Sequence, residues 1–201
     1  MTVPPAAHAR TTSLYSAARH LLRHPRTGWG AIAAQPHTAS ALITRLIVPG
    51  SLVSALAVTA GITWFNREWN ADFGYSAPAS QALSIGLATL ALSVVYAVVL
   101  AAVFILIGKM YRSRGNYAQA LTLVAYGTLP VWVAGAFMFF MPAAVPAMVA
   151  FVYTCLLYSH GTHVLLGIAE SESTEFVAIS LLLAAVVMTV LGMIASAFHL
   201  L

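Results

Sequence analysis

Five stretches of about 20 apolar residues dominate this chain, and each is long enough to cross the roughly 30 Å hydrocarbon core of a bilayer as a helix. Only 7% of the 201 residues are charged, whereas a soluble domain carries about 25%. The sequence therefore predicts an all-α, polytopic transmembrane bundle of five helices. The predicted spans, numbered one to five, are Leu46–Phe65, Ala82–Ile107, Leu121–Phe140, Ala143–Ile168 and Phe176–Ala197.

The sequence offers two alternatives to five plain spans. Pro142 and Pro146 lie between spans three and four, where proline favours a tight hairpin over a continuous helix. If that hairpin stopped short of the far surface, spans three and four would form a re-entrant pair beside three full spans. The small residues Ala55–Ala57 resemble a signal-peptide cleavage site, but about 45 residues precede span one, far more than the leader of a cleavable signal.

Basic residues indicate the orientation of the spans. Arg67 alone lies in the loop between spans one and two, and the other eight of the nine Lys and Arg residues fall on the opposite side. The positive-inside rule then places the N-terminus in the cytoplasm and the C-terminus outside. We expect residues 1–42 to form a cytoplasmic N-terminal segment and residues 43–201 a transmembrane domain. The eight residues are Arg10, Arg19, Arg23, Arg26, Arg45, Lys109, Arg112 and Arg114.

The N-terminal segment contains a short amphipathic pattern. Apolar residues recur between Leu14 and Leu22 at helical spacing, opposite Arg19 and Arg23. This basic helix either lies on anionic headgroups or packs under the bundle, and the sequence favours neither. Pro25 is predicted to end it, and residues 28–40 are predicted to be a connector. Since the arginines lie beside a membrane anchor, no nucleic-acid partner is predicted.

Signatures of catalysis are absent from the sequence. There is no Gly-rich phosphate loop, nucleophile elbow, His-Glu-x-x-His or Cys-x-x-Cys motif, and the one cysteine, Cys155, excludes a disulfide framework. All five carboxylates are predicted near or outside the interface, whereas proton-coupled transporters bury one within the membrane. The sequence therefore predicts a protein that is not an enzyme and has no cofactor.

A kink in span three and a polar stretch in span four form the candidate polar site. Pro130 cannot donate a hydrogen bond to the Tyr126 carbonyl, so span three should kink there, either as a packing feature or as a place that exposes polar backbone. We expect the kink to contact the polar face of span four, with Tyr126 or Thr128 meeting Cys155, Ser159 or His163. The candidate residues are Tyr126, Thr128, Pro130, Ser159, His160 and His163.

The two histidines raise the question of a metal or proton site. His160 and His163 are close on one helix face, but zinc needs three or four ligands. Glu170 is expected on the same face but about 10 Å further along the axis, and no other span offers an obvious third ligand. We therefore predict hydrogen-bonded histidines near the interface and no metal site.

Several segments together resemble a known family. They are Leu22–Pro25 (LRHP), Gly115–Leu121 (GNYAQAL), Val124–Pro130 (VAYGTLP) and Tyr153–Tyr158 (YTCLLY). The pattern resembles the Yip family, the Ypt/Rab-interacting integral membrane proteins, and its small bacterial branch. The resemblance implies five helices with a cytosolic N-terminus, in a bacterial cytoplasmic membrane. Eukaryotic relatives bind prenylated GTPases through an Asp-Leu-Tyr-Gly-Pro element, and no such element precedes Leu46.

The sequence thus predicts a non-enzymatic membrane protein of the Yip type that organises the membrane or binds a partner. The alternative is a small-solute or ion permeation protein that uses the kinked third span and the His-bearing fourth span. Besides the lipid bilayer, a protein partner in the membrane is expected. Small residues at Ala82, Gly86, Gly192 and Ser196 suit close helix packing, either within the chain or in a homo-oligomer.

Overall fold

The computed structural model describes residues 14–35, 37–65, 78–137 and 144–197, and the regular elements in these ranges are helices. Five of them are long and apolar enough to cross a membrane. The prediction of an all-α bundle with five candidate membrane spans is therefore confirmed. The Pro142 hairpin lies outside the described residues. Spans one to five are Ala39–Thr63, Ala79–Gly108, Tyr117–Gly135, Val145–Leu166 and Glu170–Met193.

Two helices precede the spans, and two of the spans are interrupted. Helix α1 is Leu14–Arg23 and helix α2 is Pro25–Ala33. Span one consists of α-helix Ala39–Leu42, π-helix Ile43–Ile47, α-helix Val48–Ala60 and π-helix Gly61–Phe65. Span three consists of helices Tyr117–Gly127 and Leu129–Gly135. The helices of spans two, four and five are Ala79–Gly108, Ala144–Leu166 and Glu170–Ala197.

Spans one and five begin earlier than predicted because polar residues form their first turns. Thr38 caps span one by accepting a hydrogen bond from the Ala41 amide. Span five starts at Glu170, where a carboxylate interacts favourably with the positive end of the helix dipole. Apolar run length measures only the hydrocarbon crossing, so it misses such polar ends.

The predicted connector at residues 28–40 is wrong in its first part. Pro25 ends α1 but also begins α2, which continues to Ala33. Proline suits the first turn of a helix because its fixed φ angle is already helical. The N–H groups of that turn have no acceptor within the helix, so a residue that lacks an N–H loses no hydrogen bond there. The proline was interpreted only as a stop signal, and its second role was missed.

Both N-terminal helices pack against the bundle. The side chains of Ala17, Ala18 and Leu21 on α1 are buried. The Tyr153 hydroxyl of span four donates a hydrogen bond to the Leu22 carbonyl at 2.9 Å, which is one of the carbonyls that a helix end leaves without a partner. The apolar face of α1 is thus buried within the protein, mainly against α2, as the packing interpretation predicts, and binding to anionic headgroups stays a prediction.

The interrupted start of span one is tied to the same helix. Pro49 cannot donate to the carbonyl of Arg45, four residues earlier, and the turn before it is a π-helix. The Tyr15 hydroxyl of α1 donates to that carbonyl at 3.2 Å. A backbone group left free by proline thus receives a donor from the N-terminal segment.

Trp29 of α2 is inserted between spans three and four. Its side chain is fully buried, and a Cβ atom at Gly161 would overlap both the Trp29 indole and the Leu123 side chain. Span three lies at the centre of the bundle, because 72% of its most apolar window is buried, against 22% for span five. Span three therefore forms the centre of the bundle, and the Trp29 side chain of α2 reaches its contact with span four.

We predict that Gly161→Ala loosens the N-terminal helices, because the added methyl group occupies space held by the Trp29 indole. Overpacking of this kind costs about 1–3 kcal/mol. The variant should melt at a lower temperature and be cut faster by trypsin at Arg19 and Arg23 in detergent. Gly30→Ala in α2 is the matched control, since nothing lies within 4 Å of its Cβ position. Equal stability of the two variants would contradict the proposed insertion.

Candidate functional site

Span three breaks at Thr128, between its two helices. The backbone of Thr128 has φ −81° and ψ −7°, which departs from ideal helix geometry, and Pro130 follows in the first turn of the second helix. The predicted kink is confirmed. The Thr128 hydroxyl donates to the Val124 carbonyl at 2.7 Å, so the break carries its own polar contact within the apolar bundle.

Tyr158 of span four binds the broken segment. Its hydroxyl lies 2.6 Å from the Thr128 hydroxyl, and because Thr128 already donates to Val124, Tyr158 is the donor in this bond. Gly127 leaves room for the ring, since a Cβ there would overlap it. Phe104 of span two meets the ring edge-on, with centroids 5.4 Å apart. The break is therefore held by a buried phenol packed from three sides.

The predicted partners of the kink are wrong by one residue. Ser159 donates to the Cys155 carbonyl in its own helix, and His163 Nδ1 bonds to the Ile168 carbonyl at 2.9 Å. Tyr158, and neither Ser159 nor His163, faces Thr128. One residue turns a helix face by about 100°, so Tyr158 and the candidate residues Ser159, His160 and His163 lie on different faces of span four.

Tyr126 faces the N-terminal segment. Its ring and that of His37 have centroids 5.8 Å apart, and both the Tyr126 hydroxyl and His37 Nε2 are buried without a hydrogen-bond partner. Burial lowers the pKa of His37 below its ordinary value of 6.5, because desolvation disfavours the charged imidazolium. Tyr126 therefore belongs to the contact between span three and the segment that leads into span one.

A mainly apolar cavity of about 350 Å³, with hydroxyl-bearing residues in its wall, lies next to the break inside the bundle. All five spans contribute to its wall, and the Thr154 hydroxyl in that wall is buried without a partner. Sequence reasoning identified only Thr128 among these residues. The polar residues of the wall are Ser54, Thr89, Ser93, Tyr96, Thr128, Thr154 and Tyr158.

A signal for this cavity was present in the sequence. Thr89, Ser93 and Tyr96 recur at i, i+4 and i+7, which places them on one face of span two. Thr154 and Tyr158 form a second such row on span four, beside the row of Cys155, Ser159 and His163. The sequence-based prediction used the row that contains His163 and missed the row that contains the hydroxyl groups of Thr154 and Tyr158.

The histidines line a separate, open cleft of about 690 Å³ between spans four and five at the end where α2 lies. His160 Nδ1 and His163 Nδ1 both bond to backbone carbonyls. Gly167 has φ +68° and reverses the chain, so Glu170 begins span five beside the histidines. The expectation that Glu170 lies further along the same axis is wrong, because span four ends at Leu166.

The cleft does not hold a recognisable metal site. Within the described ranges, no group of three or more His, Cys, Asp or Glu residues is arranged to hold a metal ion. What the cleft does offer is a set of hydrogen-bonding and charged groups at one end, Arg26, Ser159, His160, His163 and Glu170, and apolar side chains at the other. Such a surface suits an amphipathic ligand better than an ion.

Comparison with known proteins gives one result. A family model described as Yip1 domain matches residues 19–193, which is most of the chain and includes the kink, the cavity and the cleft. A search of curated proteins found no match, and a search of solved structures also found none.

The half-buried His37, whose Nε2 atom is buried, predicts a pH dependence of folding stability. Above pH 6.5 the imidazole is neutral in both folded and unfolded chains; as the pH falls through 6.5 the unfolded chain binds the proton first, so folding stability decreases. Thermal melting on either side of pH 6.5 should show a smaller loss for His37→Phe than for the wild type. His20→Gln, at an exposed imidazole, should behave like the wild type. An unchanged acid response in His37→Phe would refute this role.

Proposed function

We propose that this chain, which belongs to the Yip family, is a non-enzymatic integral membrane protein that organises the membrane or binds a partner. The observation that supports this function is an exposed basic surface at one end of the bundle. Helices α1 and α2 are fixed there by Trp29 and by two tyrosine bonds to backbone carbonyls. We call this surface the basic cap; its residues are Arg19, Arg23, Arg26, Arg45, Lys109, Arg112 and Arg114, all exposed.

We further propose that the basic cap faces the cytoplasm of a bacterial cell, with the C-terminus on the other side. The proposal follows from the positive-inside rule, since the cap holds seven of the nine basic residues of the chain. Seven positive charges on a surface built from ordered helices attract a partner with an acidic face, and they raise its association rate more than its final affinity. The partner predicted here is therefore a protein with an acidic cytoplasmic surface.

Site-specific photocrosslinking in native membranes tests this function. A photoreactive residue at Met110, which is 78% exposed beside the cap, should capture a defined protein. The same residue at Leu182, which is 69% exposed on span five, should capture lipid or nothing specific. The yield of the adduct at Met110 should fall several-fold when salt is added, because salt screens exposed charges.

Charge variants complete this experiment. Lys109→Gln combined with Arg112→Gln should reduce the Met110 adduct, whereas Glu172→Gln should leave it unchanged. If Met110 gives no more specific protein adduct than Leu182, or if the double variant keeps the full adduct, partner binding through the cap is refuted.

Small-solute passage is the second candidate function, and the hydroxyl-bearing residues in the wall of the cavity favour it. Its wall offers seven hydroxyl-bearing side chains, but the buried rings of Phe104, Tyr158 and Phe176 pack in succession beside it. We expect proteoliposomes containing the protein to pass glycerol and potassium no faster than empty liposomes. Faster flux that changes in Tyr158→Phe, and is unaffected in Leu182→Ala, would overturn the binding function in favour of transport.

A further inference from the structure

The cleft between spans four and five has the shape and chemistry of a phospholipid site. Its apolar side chains, Phe151, Val152 and Leu156, are all about half exposed. Its polar groups lie toward the end where span four stops and span five starts. From Val152 to His163 the cleft extends about 16 Å along the helix axis, which is close to one leaflet, or about half of a 30 Å hydrocarbon core.

The charges in the cleft select the type of headgroup. Arg26 supplies one positive charge and Glu170 one negative charge, so with neutral histidines the cleft carries no net charge. An anionic headgroup would be attracted by Arg26 and repelled by Glu170. A zwitterionic headgroup satisfies both, with its phosphate at Arg26 and its amine at Glu170.

The hydrogen-bonding state of the histidines adds to this choice. A backbone carbonyl can only accept, so Nδ1 of His160 and of His163 carries the hydrogen in the bonds to Leu156 and Ile168. In a neutral ring Nε2 is then an acceptor. A primary ammonium has three N–H donors and can use both Glu170 and these nitrogens, whereas a trimethylammonium group has no N–H to donate.

We propose that this cleft binds a phospholipid with a primary amine headgroup, of the phosphatidylethanolamine class. The acyl chain lies along Val152 and Leu156, the phosphate is held by Arg26, and the ammonium is held by Glu170 with the histidine Nε2 atoms. This site lies on the flank of the bundle and shares Arg26 with the basic cap, but lipid binding there does not require partner binding by the cap.

Native mass spectrometry of the full chain in mild detergent tests the site with three added lipids of equal acyl chains. These are phosphatidylethanolamine, phosphatidylcholine and phosphatidylglycerol. The amine lipid should bind about tenfold more tightly than either of the others, as expected for one charge-assisted hydrogen bond. Phosphatidylglycerol bound as tightly as phosphatidylethanolamine, or a lipid-free dimer that excludes lipid, would overturn the proposal.

Matched variants separate the roles of the headgroup contacts. Glu170→Gln should remove the preference for phosphatidylethanolamine over phosphatidylcholine, and Glu172→Gln, exposed on the same helix and outside the cleft, should keep it. Arg26→Gln should weaken the binding of all three lipids, whereas Arg23→Gln should leave their binding unchanged. If both Glu variants behave alike, the ammonium contact is refuted.

A third variant tests the apolar half without altering charge. Leu156→Trp places a large ring in the cleft and should reduce binding of all three lipids severalfold. Circular dichroism melting of each variant without added lipid checks that the bundle is folded. If the Leu156→Trp protein is folded and binds phosphatidylethanolamine as tightly as the wild type, the proposed position of the acyl chain along Leu156 is wrong.

Discussion

Two prolines that interrupt helices lie beside polar contacts that join parts of this bundle. Pro49 cannot donate to the Arg45 carbonyl, which receives the Tyr15 hydroxyl at an exposed position and so joins α1 to span one. Pro130 cannot donate to the Tyr126 carbonyl, and in the same break the Thr128 hydroxyl donates to Val124 and accepts from Tyr158 of span four. Polar groups inside an apolar bundle need partners from the protein itself. The polar contacts between these elements therefore lie where the helices are irregular.

Fold class and span number followed from the sequence because both depend on length and hydropathy. The kink was also predictable, since proline removes a donor wherever it stands in a helix. Helix α2 was missed because Pro25 acts at once as the end of one helix and the first turn of the next. The sequence contained one further indication of this helix, which is Trp29 at its fifth position. A large aromatic side chain is uncommon in a solvent-exposed connector, and Trp29 is in fact buried.

The sequence predicted where the kink in span three lies, but not which residue of span four bonds to it. A membrane helix is apolar on nearly all sides, so its sequence indicates weakly which side faces a neighbour. A difference of one residue separates Tyr158, which binds Thr128, from Ser159, which faces the cleft. The position of Glu170 beside the histidines could not be predicted without the turn at Gly167, whose positive φ reverses the chain. Such three-dimensional information is set by packing and not by spacing along one helix.

Span four thus divides two polar environments that sequence reasoning had joined. On one side, Thr154 and Tyr158 face a cavity whose wall includes residues of all five spans. On the other, His160 and His163 face an open cleft with exposed apolar side chains. The hydrogen bond between Tyr158 and Thr128 lies in the first environment and holds the broken helix, whereas the second environment carries opposite charges at one end. The histidines therefore belong to an exposed surface of the protein, and the proline kink belongs to its interior.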